Sequence, residues 1–192
     1  MPMRPADSPI ALQLVVTTTD KPAHSSGLEN EVVDLFDQLR EPIFRYALSL
    51  GLAADDGEDI LQEVFLALFR HLQLGRDRAN LRGWIFRVAH NLSLKRRFAN
   101  QKAARRGEAG GEMADTAPDQ APSAEEQMVF NEKRARLSAV LRALPEQDQR
   151  CLRLRAEGLR YREIAEVLGI SLGSVSISLT RSLARMQRAE GR

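Results

Sequence analysis

Apolar residues recur at intervals of three and four from Asn30 to about Gln101, lose that rhythm in a polar stretch from Gly107 to Gln127, and regain it toward the C-terminus. The pattern predicts an all-α protein with two small helical domains, residues 29–104 and 124–192, joined by a flexible linker over 105–123. Residues 1–28 read as a flexible leader, in which only Ile10–Val16 alternates, as a short strand or an extended arm. No repeat of solenoid length is present.

Within the first domain, Asp55 or Asp56 is expected to cap a helix running to about His71, with Leu61, Val64, Phe65, Leu68 and Leu72 as its core stripe. The next helix is expected to start at Asn80, a natural N-cap, and to bury Ile85, Val88, Ala89 and Leu92. In the second domain Ser123-Ala-Glu-Glu126 is a capping box opening a helix to Leu144, and Pro145 to Ala156 forms a supporting helix stopped by Gly158. Tyr161 to Ser171, followed by Leu172 to Glu190, reads as helix, tight turn, helix. Ala165 is small where the second helix crosses, Gly169 takes the positive φ of the turn, Val175 plugs the angle, and Ser171 caps the second helix. Ile164, Leu168 and Ile170 complete that core.

The outward faces carry the candidate chemistry. Asp59, Gln62, Glu63 and Leu66 follow i, i+3, i+4, i+7, which sets one apolar residue among hydrogen-bonding groups, as a protein contact requires; a solvated acidic face has the same spacing. The following helix turns Arg87, Asn91, Lys95, Arg96 and Arg97 outward, with Trp84 near its start, either flanking the core or stacking on a base. The loop Gln73 to Asn80 is polar and long enough to hold an extruded base. The last helix presents Ser174, Ser178, Arg181 and Arg185 away from Val175 and Leu179, and Ser171, Leu172 and Ser176 complete the candidate DNA contacts.

Charge sharpens this picture although the net value is only +2, from 28 Lys+Arg against 26 Asp+Glu in 192 residues. The stretch Glu29 to Glu63 is acidic, Gly83 to Arg106 contains no carboxylate, and the linker is acidic again, so a basic helix end can meet a polyanion while acidic parts meet something else. A composition of 43% hydrophobic and 28% charged residues argues against collagen, wholesale disorder and a membrane bundle. One cysteine and three histidines, His24, His71 and His90, leave little for zinc ligation or a nucleophilic triad, so no metal, no cofactor and no enzyme activity are expected. The N-terminus lacks the pattern of a signal peptide and no apolar run is long enough to span a bilayer; a cytoplasmic location without membrane insertion is the expectation.

Taken together, Asp59-Ile-Leu-Gln62-Glu63-Val-Phe65-Leu, Leu81-Arg-Gly-Trp84-Ile-Phe-Arg-Val-Ala-His-Asn91-Leu, Leu144-Pro145 and Tyr161-Arg-Glu-Ile-Ala-Glu-Val-Leu-Gly169-Ile-Ser resemble bacterial RNA polymerase sigma factors of the extracytoplasmic-function group. The similarity runs from about Val32 to Arg188. It implies that Asp59, Gln62 and Glu63 meet the clamp helices of core RNA polymerase, that the Trp84 to Arg97 helix and its preceding loop recognise and open the minus-ten element, and that the helix-turn-helix reads the minus-thirty-five element of promoter DNA. An anti-sigma factor is the further partner that the resemblance raises. The recognition helix departs from the pattern: many relatives have Thr, Val, Lys, Ser and Arg where this chain has Ser174, Val175, Ser176, Ile177 and Ser178, so two expected cations are missing. Two rivals remain at this level. A stand-alone helix-turn-helix regulator shares only the C-terminal motif, and a metal-dependent phosphodiesterase would use Asp55, Asp56, Asp59 and Glu63 but lacks a second acidic cluster.

Overall fold

The structure, a computed structural model, describes residues 23–106 and 135–190. Every regular element among them is helical: α1 (Ala23–Ser49), α2 (Ala54–Gln73), α3 (Leu81–Arg105), α4 (135–142), α5 (Glu146–Ala156), α6 (Tyr161–Leu168) and α7 (Leu172–Glu190). The expected strand or arm at Ile10–Val16, the capping box at Ser123 and most of the linker lie outside the described residues. The leader boundary needs correction, because α1 begins at Ala23, inside the segment read as tail.

The first module is α1, α2 and α3 closing on Leu39, Ile43, Tyr46, Ile60, Val64, Leu68, Ile85, Phe86 and Ala89. Phe36 meets Phe65 edge-on at 4.9 Å between ring centroids. At Gly57 a Cβ would sit 2.9 Å from the ring of Phe44, so the bare backbone lets α1 and α2 approach closely. The α2 cap is also corrected: Ala53 holds that position without a side-chain bond, and Asp55 and Asp56 lie inside the first turn, where their charges favour the positive end of the helix dipole. Asn80 caps α3 as the sequence suggests, its side chain accepting from the Gly83 amide at 3.0 Å.

In the second module α5, α6 and α7 enclose Cys151, Leu154, Leu159, Ile164, Val167, Val175 and Leu179. Gly169 sits at φ 64°, a left-handed turn that costs glycine little, and the chain swings by 108° from α6 into α7. Ser171 Oγ accepts from the Ser174 amide at 3.1 Å, the cap expected of it.

A linker reading alone leaves the modules apart, yet here they are docked: α3 packs on α6, α1 touches α5, and the buried side chains of both belong to one cluster. The seam carries ion pairs and hydrogen bonds. Arg45 reaches Glu157 at 2.7 Å, Arg82 donates to the Glu157 carbonyl, Arg97 meets Glu146 at 3.1 Å, and Asn80 donates to Glu166 at 3.2 Å.

Tyr46 Oη lies 2.8 Å from His90 Nδ1, both side chains buried. Burial, with Arg150 adding positive potential, pushes the His90 pKa down to about 4, so the folded protein holds this imidazole neutral. Its contribution to stability is complete above the unfolded histidine value of about 6.5 and is lost as pH falls from there through 4. The urea midpoint is therefore expected to drop between pH 7 and pH 5 in the natural protein and to change less in His90→Asn. Equal pH slopes for the two proteins contradict this.

Candidate protein and nucleic-acid interfaces

The α2 face opposite the core presents Asp59, Gln62, Glu63 and Leu66, all exposed, with Leu66 57% accessible. One expected DNA contact turns toward this face instead. Arg96 pairs with Asp56 at 2.7 Å, Asp59 at 3.1 Å and Glu63 at 3.7 Å. The reason is register: Arg96 follows Ile85 and Ala89 on the side of α3 that carries buried residues, not the outward side of Asn91 and Lys95. The hydrogen bonds to Asp56 and Asp59 raise the guanidinium's pKa further. A cation among these carboxylates also disfavours the metal-site reading of the same residues.

On the outward side of α3, Arg87, Asn91 and Lys95 are exposed and lie on one strip. Arg97 departs from it and bonds Glu146 of α5. Trp84 is half-buried, packs against the core, and lies 4.4 Å from His71 between ring centroids, so it flanks the core. Asn80 is committed on both sides, its oxygen to the cap and its amide to Glu166. The loop between α2 and α3 is held in shape. The His71 ring bonds the Asp77 carbonyl, Asp77 accepts from the Ala79 amide, and Arg78 pairs with Glu31 at 3.0 Å. Beside the loop, a cleft of about 460 Å³ opens between Ala79 and Asn80 on one side and Tyr161, Glu163, Glu166 and Leu172 on the other.

On the recognition helix two of the expected contacts are engaged within the module. Ser178 is buried beside Gln147, and Arg181 grips the buried Asp148 of α5 through Nε and Nη2, both at 2.7 Å. The Arg181 hydrogen bonds hold the Asp148 carboxyl below the usual carboxylate range against a burial effect of opposite sign. The outward face is thus rotated from the one expected. Ser171, Leu172, Ser176 and Arg185 are exposed as assigned, Ser174 is half-buried with its hydroxyl 2.8 Å from that of Ser171, and Ile177, absent from the sequence-based set, is 65% exposed. Asp148 was also missed, although it shares the α5 stripe with Cys151 and Leu154, where a carboxylate signals a cationic partner.

A three-helix module with an acidic outer strip and a cationic one, docked to a helix-turn-helix, defines a two-part DNA-binding factor. Comparison with known proteins names the class. Residues 35–103 match the family described as Sigma-70 region 2, and residues 134–186 match Sigma-70, region 4. The chain is 30% identical over 188 residues to the ECF RNA polymerase sigma factor SigE of Mycolicibacterium smegmatis, covering 96% of this chain and 69% of that protein. It is 30% identical over 148 residues to SigL of Mycobacterium tuberculosis, covering 76% and 80%. Two solved structures share the fold: CnrH in complex with the cytosolic domain of CnrY (TM-score 0.56, 23% identity, 85% of this chain and 90% of that one), and RpoE in complex with the anti-sigma factor NepR from Bartonella quintana (TM-score 0.61, 20%, 86% and 98%). The chain belongs to the ECF group of the sigma-70 family. It is a sigma factor, binding core RNA polymerase and directing it to promoters, and not a stand-alone regulator.

Proposed function

We propose that the docked modules divide the work of initiation by face. Asp59, Gln62, Glu63 and Leu66 bind core polymerase; Arg87, Asn91 and Lys95, with Asn80 and the loop before it, engage the minus-ten element; α7 reads the minus-thirty-five element, with Arg185 on phosphate. The observation that carries this reading is the α2–α3 pair, which shows an acidic strip ending in an exposed leucine on one helix and a carboxylate-free outward strip on the other. Arg96 belongs to the acidic strip as its internal counter-ion, Arg97 and Trp84 act through the seam and the core, and Arg181 and Ser178 support α7 from behind. The domain division over 29–104 and 124–192 is part of the same reading. The chain catalyses nothing itself, requires no cofactor or metal, works in the cytoplasm, and is open to binding by an anti-sigma factor, as RpoE is found in complex with NepR. Among the described residues no single helix is long and apolar enough to cross a membrane.

Adjacent substitutions test the division. Lys95→Ala is expected to weaken promoter opening most at low salt, the defect narrowing as salt rises, because one lost phosphate contact reduces the salt slope by about 0.7 to 0.9. Arg96→Ala is expected to leave that slope unchanged and to lower affinity for core polymerase roughly two- to fivefold, as three carboxylates lose their counter-ion. Permanganate footprints across a salt series and a core-binding titration measure the two. Equal salt slopes for Lys95→Ala and the natural protein contradict the assignment of α3 to DNA.

A further inference from the structure

The outward row of α7 is Gly173, Ile177, Thr180 and Ala184, spaced i, i+4, i+7, i+11 and exposed throughout. It lies opposite the buried row of Val175, Ser178, Leu179 and Ser182. These four residues offer the major groove no Arg or Lys for guanine, no Asn or Gln for adenine and no carboxylate for cytosine. What the row does bring is apolar. Ile177 is 65% exposed at the centre of the row, Leu172 is 48% exposed beside its start, and the Thr180 methyl stands one turn beyond Ile177. Gly173 has open space where a Cβ would stand, with Ser171 Oγ nearest at 3.8 Å, so the backbone there can come close to a base edge. The cation that would have crossed this face, Arg181, is held by Asp148.

From this geometry we infer that Ile177 is a specificity-determining residue that reads thymine through its C5-methyl group in the minus-thirty-five element. The inference rests on the assignment of α7 to that element and adds the chemistry by which α7 chooses a sequence. The thymine methyl is the apolar feature of the major-groove edge, and removing it from water against a branched side chain supplies discrimination without a hydrogen bond. Ser176, exposed beside Ile177, accepts either base and therefore adds contact without selecting.

Deoxyuridine, which differs from thymidine by that methyl alone, is the probe. Holoenzyme assembled from the full chain and core polymerase is first used to select duplexes from a library randomised at minus-thirty-five, and each thymine in the winners is then replaced by deoxyuridine. At one or more positions the replacement is expected to weaken binding about fourfold. In Ile177→Ala, whose substituted side chain is exposed and leaves the buried row intact, the same replacement is expected to have no effect. Deoxyuridine tolerated at every position overturns the inference, and so does a penalty of equal size in the natural protein and Ile177→Ala. A library that yields no minus-thirty-five preference at all instead overturns the assignment of α7 to that element, a failure distinct from the other two.

Discussion

Arg181→Ala is expected to lower the melting temperature by about 5 to 10 °C, whereas Arg185→Ala is expected to leave it nearly unchanged and to flatten the salt dependence of duplex binding by about 0.9. The two arginines lie one turn apart on α7, and the sequence offers both to phosphate. Their surroundings separate them. Arg181 supplies two 2.7 Å hydrogen bonds to a carboxylate with 0% exposure, so its removal leaves Asp148 in the interior with the Ser178 hydroxyl but no adjoining counter-ion. Arg185 is exposed and forms no ion pair among the described residues. In the natural protein the Asp148 pKa is depressed; its stabilising contribution is complete above about pH 4 and is lost as pH falls through the folded value. In Arg181→Ala the depression weakens, because burial is then opposed only by the Ser178 hydrogen bond and the charge of Arg185, so the stability gap to the natural protein narrows as acid protonates the carboxyl. Asp148→Asn combined with Arg181→Ala is expected to recover most of the loss, since an amide needs no counter-charge. Thermal melts of the single and double variants at neutral and acid pH check each step. A single variant that melts with the natural protein removes the pair from the framework of this module.

That contrast marks where the sequence stops being legible. Periodicity places α2, α3, α6 and α7, and it finds most of the core, with Val64, Phe65, Leu68, Leu72, Ile85 and Ala89 all buried. The helix-turn-helix reads correctly because Gly169 and Val175 have local roles that few other residues fill. Arg96, Arg97 and Arg181, assigned to DNA by spacing, pair with carboxylates of another helix in the free protein, for a shared reason. A long basic side chain on a helix flank reaches DNA or a neighbouring carboxylate depending on how the next helix packs, which its own spacing does not encode. The docking of the modules was invisible for a similar reason. Glu157 and Glu166 read as ordinary surface acids until α3 and α1 bring Asn80, Arg45 and Arg82 to them. Ile177 stayed hidden because apolar residues on a recognition helix are assumed to face inward, and only the register fixed by Val175 and Leu179 turns it out.

Simultaneous replacement of Asp59, Gln62 and Glu63 by alanine is expected to cut affinity for core polymerase roughly tenfold or more while leaving the circular dichroism spectrum unchanged. The helix tolerates the change because all three side chains are exposed, the buried stripe from Ile60 to Leu72 is untouched, and alanine has the highest helix propensity. The helix pair is also retained: with Asp59 and Glu63 gone, Arg96 keeps its 2.7 Å bond to Asp56, which also accepts from Asn100 at 2.6 Å. The loss therefore falls on the outer surface and not on the packing of α2 against α3. Leu66 provides an independent check, since Leu66→Ala removes apolar area that is 57% exposed in the free protein and becomes buried only in a complex. If α2 is the polymerase face, Leu66→Ala weakens the complex without removing any charge, and its loss persists at high salt, where a purely electrostatic attraction is screened. Triple-variant binding equal to that of the natural protein, with an unchanged spectrum, takes α2 out of the interface. Loss from the triple variant that disappears in high salt, with Leu66→Ala fully active, would mean that the acidic strip steers polymerase electrostatically without being buried against it.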